Sequence, residues 1–438
     1  MIDFCLLTSA SRAEIAQVIL TQILRSNGGD TLDEYLPVKH TKWIAYVGPF
    51  KYGRSNAAAH RVHGVARSLT NIGYDVVIGS GDSEPVEPTL LETGEDQGNL
   101  YHIGLGEVPP PGASVLTKVG TWFVTLGTRT VQWLERQNTK PSHVIVYTPH
   151  AAFVSRLLQW CRRNNVAMIV DVVEWYDSWH VQGGPLGPFN ISTKFAMRVL
   201  NSQSDGIIAI SSYLVDYYKG RGCKVTRVPP TLDVKNAEFS ASVGQRLDYA
   251  IKLAYAGTPG KKDLLDHMLE ALLALDPEGR QLRLAVAGPN PTDVLALPAL
   301  RSRGFSSVPP CVEVLGYLPQ GQALDLVRMA HFLPLLRPGK RYAQAGFPTK
   351  VVESLTVGTP VICNLTSDLG LYIHDGAEGL VCQDHSVRAF SEALERALRL
   401  TDGDYRQMRQ SARARAERSF DYRLFGGPLS DFLEETRR

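Results

Sequence analysis

The chain has 438 residues, 44% of them hydrophobic and 21% charged, with a formal net charge of +2. That length exceeds one ordinary core and predicts two domains, while the near-neutral balance excludes bulk electrostatic binding to nucleic acid. No apolar run approaches the length of a membrane span, and the six cysteines are scattered without a CxxC pair, which reads as small core residues of a reduced cytoplasmic protein and predicts no metal site.

Residues 1–42 stand apart as an N-terminal extension without a basic start or a cleavage site. Ile15, Val18, Ile19, Leu20, Ile23 and Leu24 share one helical face there. A helix packed on the first domain is the simplest reading, with a membrane-surface or dimer helix as the alternatives. From Trp43 onward the pattern becomes strand, loop, helix, repeated. Strands are predicted at 43–47, 74–79, 144–147, 167–172, 205–210 and 224–228, with a glycine-bearing loop at 48–55 and a helix at 57–72. Continuous apolar strands alternating with helices argue for a parallel sheet covered on both faces.

Pro229-Pro230 breaks that series, and 231–245 reads as a linker. A second series follows at 253–256, 282–287, 312–315, 332–336, 361–364 and 380–382, with helices at 263–275 and 323–329. The expected division is therefore 1–42, a first Rossmann-like domain over 43–232, a second over 233–418, and a C-terminal helix over 419–438 that returns to the first domain. Arg413, Arg415 and Arg418 form either a solvated helix face or a patch for anionic membrane.

The most informative stretch is 341–364, RYAQAGFPTKVVESLTVGTPVICN. Gly346 and Pro348 are turn residues, Pro348 suits a helix start, and Gly358 stops the helix. Free N–H groups at Thr349 and Lys350 then point from the C-terminal edge of a sheet, where phosphate binds. Glu353, one turn further in, is placed to accept hydrogen bonds from sugar hydroxyls. A phosphate cradle beside a hydroxyl acceptor suggests a nucleotide-sugar site.

VGTPVI at 357–362, DGAEGLV at 375–381, AYAGTPGKKDLLD at 254–266, LGYLP at 315–319, VPPTLD at 228–233 and the first-domain opening GPFKYGRSNAAAHRVHGV occur in one order. Together they resemble glycosyltransferase family 4. The resemblance implies an α/β GT-B fold, two tandem Rossmann-like doubly wound domains facing across a cleft. It also implies a retaining transferase that moves sugar from a nucleoside-diphosphate sugar, without an essential metal, to a saccharide or lipid-linked acceptor. Such a protein would be cytoplasmic, with peripheral contact to the inner membrane face as an option.

Carried over by position, Gly53 lets backbone approach the diphosphate, Lys262 offsets charge on the departing phosphate, and Leu318 meets the base. Gly346, Phe347, Pro348, Thr349 and Lys350 form the phosphate loop, and Glu353 binds donor ribose. Lys261 is an equally charged neighbour of Lys262. Two departures stand out. Ala345 occupies the place of the first of the family's two glutamates, and Thr258 the place of an arginine. On the acceptor side the candidates are His150 and Glu174, with Trp175, Tyr176 and Asp177 as a sugar platform. A sugar-nucleotide epimerase using Glu174 and Asp177, or a non-catalytic scaffold signalled by Ala345, remain the alternatives.

Overall fold

A computed structural model describes residues 42–438 apart from 54–56, 97, 148–149, 177, 179–183, 241–249 and 259–261. The helix expected over Ala13 to Leu24, and Lys261 and Asp177, lie outside the described residues.

The first domain is built on an eight-stranded sheet. Its strands are β1 (Trp43–Gly48), β2 (Asp75–Ser80), β3 (Pro85–Thr93), β4 (Asn99–Leu105), β5 (His143–Tyr147), β6 (Ala167–Val172), β7 (Gly206–Ala209) and β8 (Val225–Arg227). They run in the order β3-β4-β2-β1-β5-β6-β7-β8. All pairs are parallel except β3 with β4. The central strands β1, β2 and β6 are buried at every position, as expected where helices cover both faces. The antiparallel β3 was not anticipated. It begins at a proline and is mostly exposed, the signature of an edge strand, which lacks the apolar run that marks the others.

The second domain carries β9 (Ile251–Ala256), β10 (Leu282–Ala287), β11 (Val312–Gly316), β12 (Leu333–Leu335), β13 (Val361–Asn364) and β14 (Gly379–Cys382). Two three-stranded parallel sheets, β11-β10-β9 and β12-β13-β14, are joined where Leu253 bridges Phe332. The result is the order of a doubly wound nucleotide-binding sheet. In each domain the strand order reverses beside the first strand, at β1/β5 and at β9/β12. Ligands of such sheets bind where the order reverses, beyond the strand C-termini.

The chain passes between domains twice. The first passage, Val228 to Leu232, and the second, at Phe420 to Tyr422, pair with each other: Leu232 N–H donates to Phe420 O at 2.9 Å and Tyr422 N–H to Leu232 O at 3.0 Å. The helix Gly426–Thr436 then returns to the first domain, placing Leu429, Phe432 and Leu433 in one core with Ile44, Val76, Ile145 and Ile208. Arg413 and Arg415, offered above as a membrane patch, are occupied internally. Arg413 donates to the carbonyls of Phe239, Val234 and Thr356, and Arg415 pairs with Glu378.

The domains also meet directly. Ser211 Oγ donates to Ala345 O at 2.6 Å, Asp368 accepts from the Ser212 N–H at 2.9 Å, and Arg227 reaches the same carboxylate at 2.6 Å. Ala345 is fully buried at this seam. Its missing carboxylate is thus matched by an apolar setting, and Ala345→Glu is expected to destabilise the protein by about 3–5 kcal/mol through an unpaired buried charge. Thermal and urea unfolding of that variant measure the loss.

Candidate active site between the domains

A cavity of about 500 Å³ lies between the domains, lined from the first by His60, Arg61 and Ile210 and from the second by Gly257, Thr258, Gly288, Leu318, Thr349 and Glu353. Four of the sequence-predicted residues (Thr258, Leu318, Thr349 and Glu353) therefore converge on it. The reason is local. Thr258 follows β9, Leu318 follows β11, and the helix Thr349–Thr356 begins after β12 with Pro348 as its cap residue. Each sits beyond a strand C-terminus. Glycine brings the turn after β9 against the turn after β10: Gly257 has φ +134° and Gly288 φ +122°, and a Cβ on Gly288 would stand 2.5 Å from Gly257 O. No side chain fits there, so backbone forms that wall.

Glu353 faces the cavity from the first turns of its helix. Burial raises its carboxyl above the ordinary glutamate value, while His60 and Lys350 pull it back down. Lys350, expected beside the cavity, is turned into the domain. Its Nζ donates to Asp263 at 2.6 Å and to Tyr255 Oη at 3.0 Å. Burial lowers its ammonium below the usual lysine value against the pull of Asp263. Asp263 would be raised by burial, but Lys350 and Arg337 outweigh that and hold its carboxyl low. Arg337 Nε lies 3.3 Å from the same carboxylate, so one acid serves two buried cations.

Lys262 reaches across the gap instead. Its Nζ is 2.5 Å from Glu174 Oε1 of the first domain, with both side chains partly exposed. Two sequence candidates from opposite domains are thereby in direct contact. A second bridge joins His60 Nε2 to Gln320 Oε1 at 3.0 Å. Gly53 lies elsewhere, on a neighbouring cavity of about 430 Å³ with Tyr52 and His63. A Cβ on Gly53 would meet no protein atom within 4 Å, so no close approach within the protein demands glycine there.

The remaining candidates are packing residues in this conformation. His150 is buried between Trp122 and Phe189, with ring centroids 4.7 and 5.0 Å away, and burial lowers its imidazole to about 4. It is neutral at physiological pH and does not line the cavity. Trp175 stacks edge-on against Tyr217 at 4.8 Å under the Arg341 guanidinium, and Tyr176 packs on Phe189. Phe347 packs against Tyr372 and Phe420, while Gly346 and Pro348 are buried and carry the chain from the seam to the helix.

Sequence reasoning passed over His60, Arg61 and Gln320. Arg61 is the most embedded. It grips Asp171 with two bonds, 3.0 Å from Nε and 2.9 Å from Nη2, and donates from Nη1 to the carbonyls of Val228 and Pro229. Tyr46 Oη completes the group at 2.5 Å from Asp171. For Arg61 the signal available was a charged residue on the apolar face of the 57–72 helix.

Two family models match the chain. A glycosyl transferase 4-like domain covers residues 56–231, and glycosyl transferases group 1 covers residues 250–399. The chain is a family 4-type glycosyltransferase. No curated protein sequence matches it, so this membership is carried by the family models. Sucrose-phosphate synthase from Thermosynechococcus elongatus superposes on this glycosyltransferase with a TM-score of 0.68 at 13% identity, covering 90% of this chain and 98% of that one. Anabaena HepE in complex with UDP gives 0.61 at 12% identity, over 90% and 99%. The lipopolysaccharide outer core galactosyltransferase WaaB gives 0.58 at 14%, over 89% and 99%. The shared architecture is GT-B. Among the described residues of the glycosyltransferase, no helix is long and apolar enough to cross a membrane.

Proposed function

We propose that this glycosyltransferase takes its sugar from a nucleoside diphosphate and transfers it with retention of anomeric configuration, without a metal, to a hydroxyl of a saccharide or lipid-linked saccharide in polysaccharide or glycolipid assembly. The observation that carries the donor reading is Glu353. It presents a carboxylate to a cavity at a sheet reversal point, one turn from a helix N-terminus. There it would accept hydrogen bonds from ribose hydroxyls while the N–H groups of Thr349 and Lys350 meet the diphosphate. Lys262 would hold the departing phosphate as charge develops on it. The diphosphate competes with Glu174 for that ammonium, which leaves Glu174 to shape the acceptor pocket. The attacking hydroxyl enters beside the leaving phosphate, whose oxygen takes its proton. HepE, solved with UDP and with UDP-glucose, makes uridine nucleotides the first donors to test.

Calorimetric titration with UDP, GDP, ADP and their sugars, in the presence of chelator, tests the donor site. Selective binding is expected, and Glu353→Ala should weaken it about 10–100-fold, the worth of hydrogen bonds to a charged group. Because the Glu353 carboxyl is raised, donor affinity should decline on acidification before an ordinary carboxylate would titrate. Glu353→Gln should abolish that decline. A wild-type affinity flat over the same pH range would remove Glu353 from the donor site. Inverted anomeric configuration in the product, read by NMR, would sink the retaining assignment.

A further inference from the structure

Asp263 faces two buried cations and is hydrogen-bonded to only one of them. Its Oδ2 accepts from Lys350 Nζ at 2.6 Å and from Tyr255 Oη at 2.8 Å. Its Oδ1 lies 3.3 Å from Arg337 Nε, close enough for attraction, yet Arg337 Nε and Nη1 are buried without a hydrogen bond among the described residues. Arg337 stands just beyond β12, where Asn364 fixes its backbone on both sides. Its N–H donates to Asn364 Oδ1 and its carbonyl accepts from Asn364 Nδ2, each at 2.9 Å. A guanidinium is thus anchored beside a carboxylate that an ammonium already holds. Two cations on one buried acid repel each other, and buried N–H groups left without acceptors are costly. Both penalties fall when the lysine leaves and the arginine closes on the acid.

The lysine has a way out. Gly257 lines the cavity, and a Cβ on it would stand 3.2 Å from Lys350 Nζ and 3.6 Å from Cε. The ammonium therefore lies directly behind a stretch of cavity wall that has no side chain. Lys350 is also the more accessible of the two cations, its side chain 18% exposed against 8% for Arg337. Burial lowers its ammonium, Asp263 raises it, and the Glu353 carboxylate in the cavity adds to that upward pull. A flexible four-carbon stem permits the turn, while the planar guanidinium behind it is suited to gripping a carboxylate.

We infer that Arg337 is a positioning residue that releases Lys350 to the donor diphosphate. Lys350 turns past Gly257 into the cavity, Arg337 takes over Asp263, and Tyr255 keeps its bond to Oδ2. The acid has a counter-ion before and after the exchange, so no buried charge is left uncompensated. The diphosphate gains an ammonium from the same helix start that offers it N–H groups. The inference rests on the donor reading of the cavity, and its test separates the two.

Calorimetric titration of the full chain with UDP, GDP and ADP is the test. For the diphosphate that the wild type binds, Arg337→Met should weaken affinity about tenfold, because Lys350 then stays on Asp263. Adding Asp263→Asn removes the acid that holds the lysine, and affinity should return to within about twofold of wild type. Lys350→Met should weaken binding by about the same factor as Arg337→Met, and combining the two should add nothing further. An arginine that only supports the fold would add its loss in full. Thermal unfolding without nucleotide should not fall in Arg337→Met, which relieves the repulsion between the cations. Wild-type binding that Arg337→Met leaves intact, or that Asp263→Asn does not restore, overturns the inference while the donor reading stands. A wild type that binds none of the three overturns the donor reading and the inference with it.

Discussion

Lys262→Ala is expected to slow sugar transfer about 10²–10³-fold, the usual loss when one donor to a developing negative charge is removed. Stability should barely change. The Lys262–Glu174 pair is partly exposed on both sides, and such pairs contribute roughly 0–1 kcal/mol. The two readouts separate the roles open to this lysine. A group that meets the departing phosphate lowers kcat at saturating donor, whereas a mere latch between domains would leave kcat near wild type. Glu174→Gln makes the complementary test: with its competitor neutralised, Lys262 should hold donor more tightly. Unchanged donor affinity in that variant would show that the diphosphate does not approach Lys262.

A stability effect as large as that of Ala345→Glu is expected at Asp171. Its carboxylate is completely buried and receives two bonds from Arg61 and one from Tyr46. Asp171→Asn leaves the guanidinium charged without its counter-ion, and the expected loss is about 3–5 kcal/mol. Urea unfolding should show a lower midpoint with little change of slope. A combined Arg61→Met and Asp171→Leu variant should recover part of that loss, since apolar replacement of a buried pair is often tolerated. It should nevertheless weaken donor binding, because Arg61 both lines the cavity and clasps the carbonyls of Val228 and Pro229 where the chain leaves the first domain. Full recovery of both properties would reduce the triad to a packing element.

These two sites also mark what could be read from the amino-acid order and what could not. Strands buried on both faces, such as β1 and β6, are nearly continuous apolar runs, so the two sheets were legible. The exposed edge strand β3 was not, because Glu87 and its prolines carry no such signal. Thr258, Leu318, Thr349 and Glu353 were legible because each directly follows a strand or opens a helix, and topology then gathers them. Side-chain direction was not. Lys350 turns inward because Asp263, 87 residues away in sequence, waits below it. His150 is enclosed by Trp122 and Phe189, whose proximity no local pattern encodes. The Arg61–Asp171 pair spans 110 residues, and only the assembled sheet brings its halves together.

The return of the C-terminal helix has a consequence for synthesis. Leu429, Phe432 and Leu433 belong to the same core as Ile44 and Val76, so the domain that begins first on the ribosome is also the one completed last. At ordinary elongation rates, roughly 10–40 s separate translation of its final strand from arrival of this helix. During that interval an apolar sheet face stands bare while the second domain, whose strands are contiguous in sequence, assembles ahead of it. The nascent chain is therefore a natural client for chaperones, and stop codons placed just before Gly426 should yield aggregates rather than a weakened enzyme.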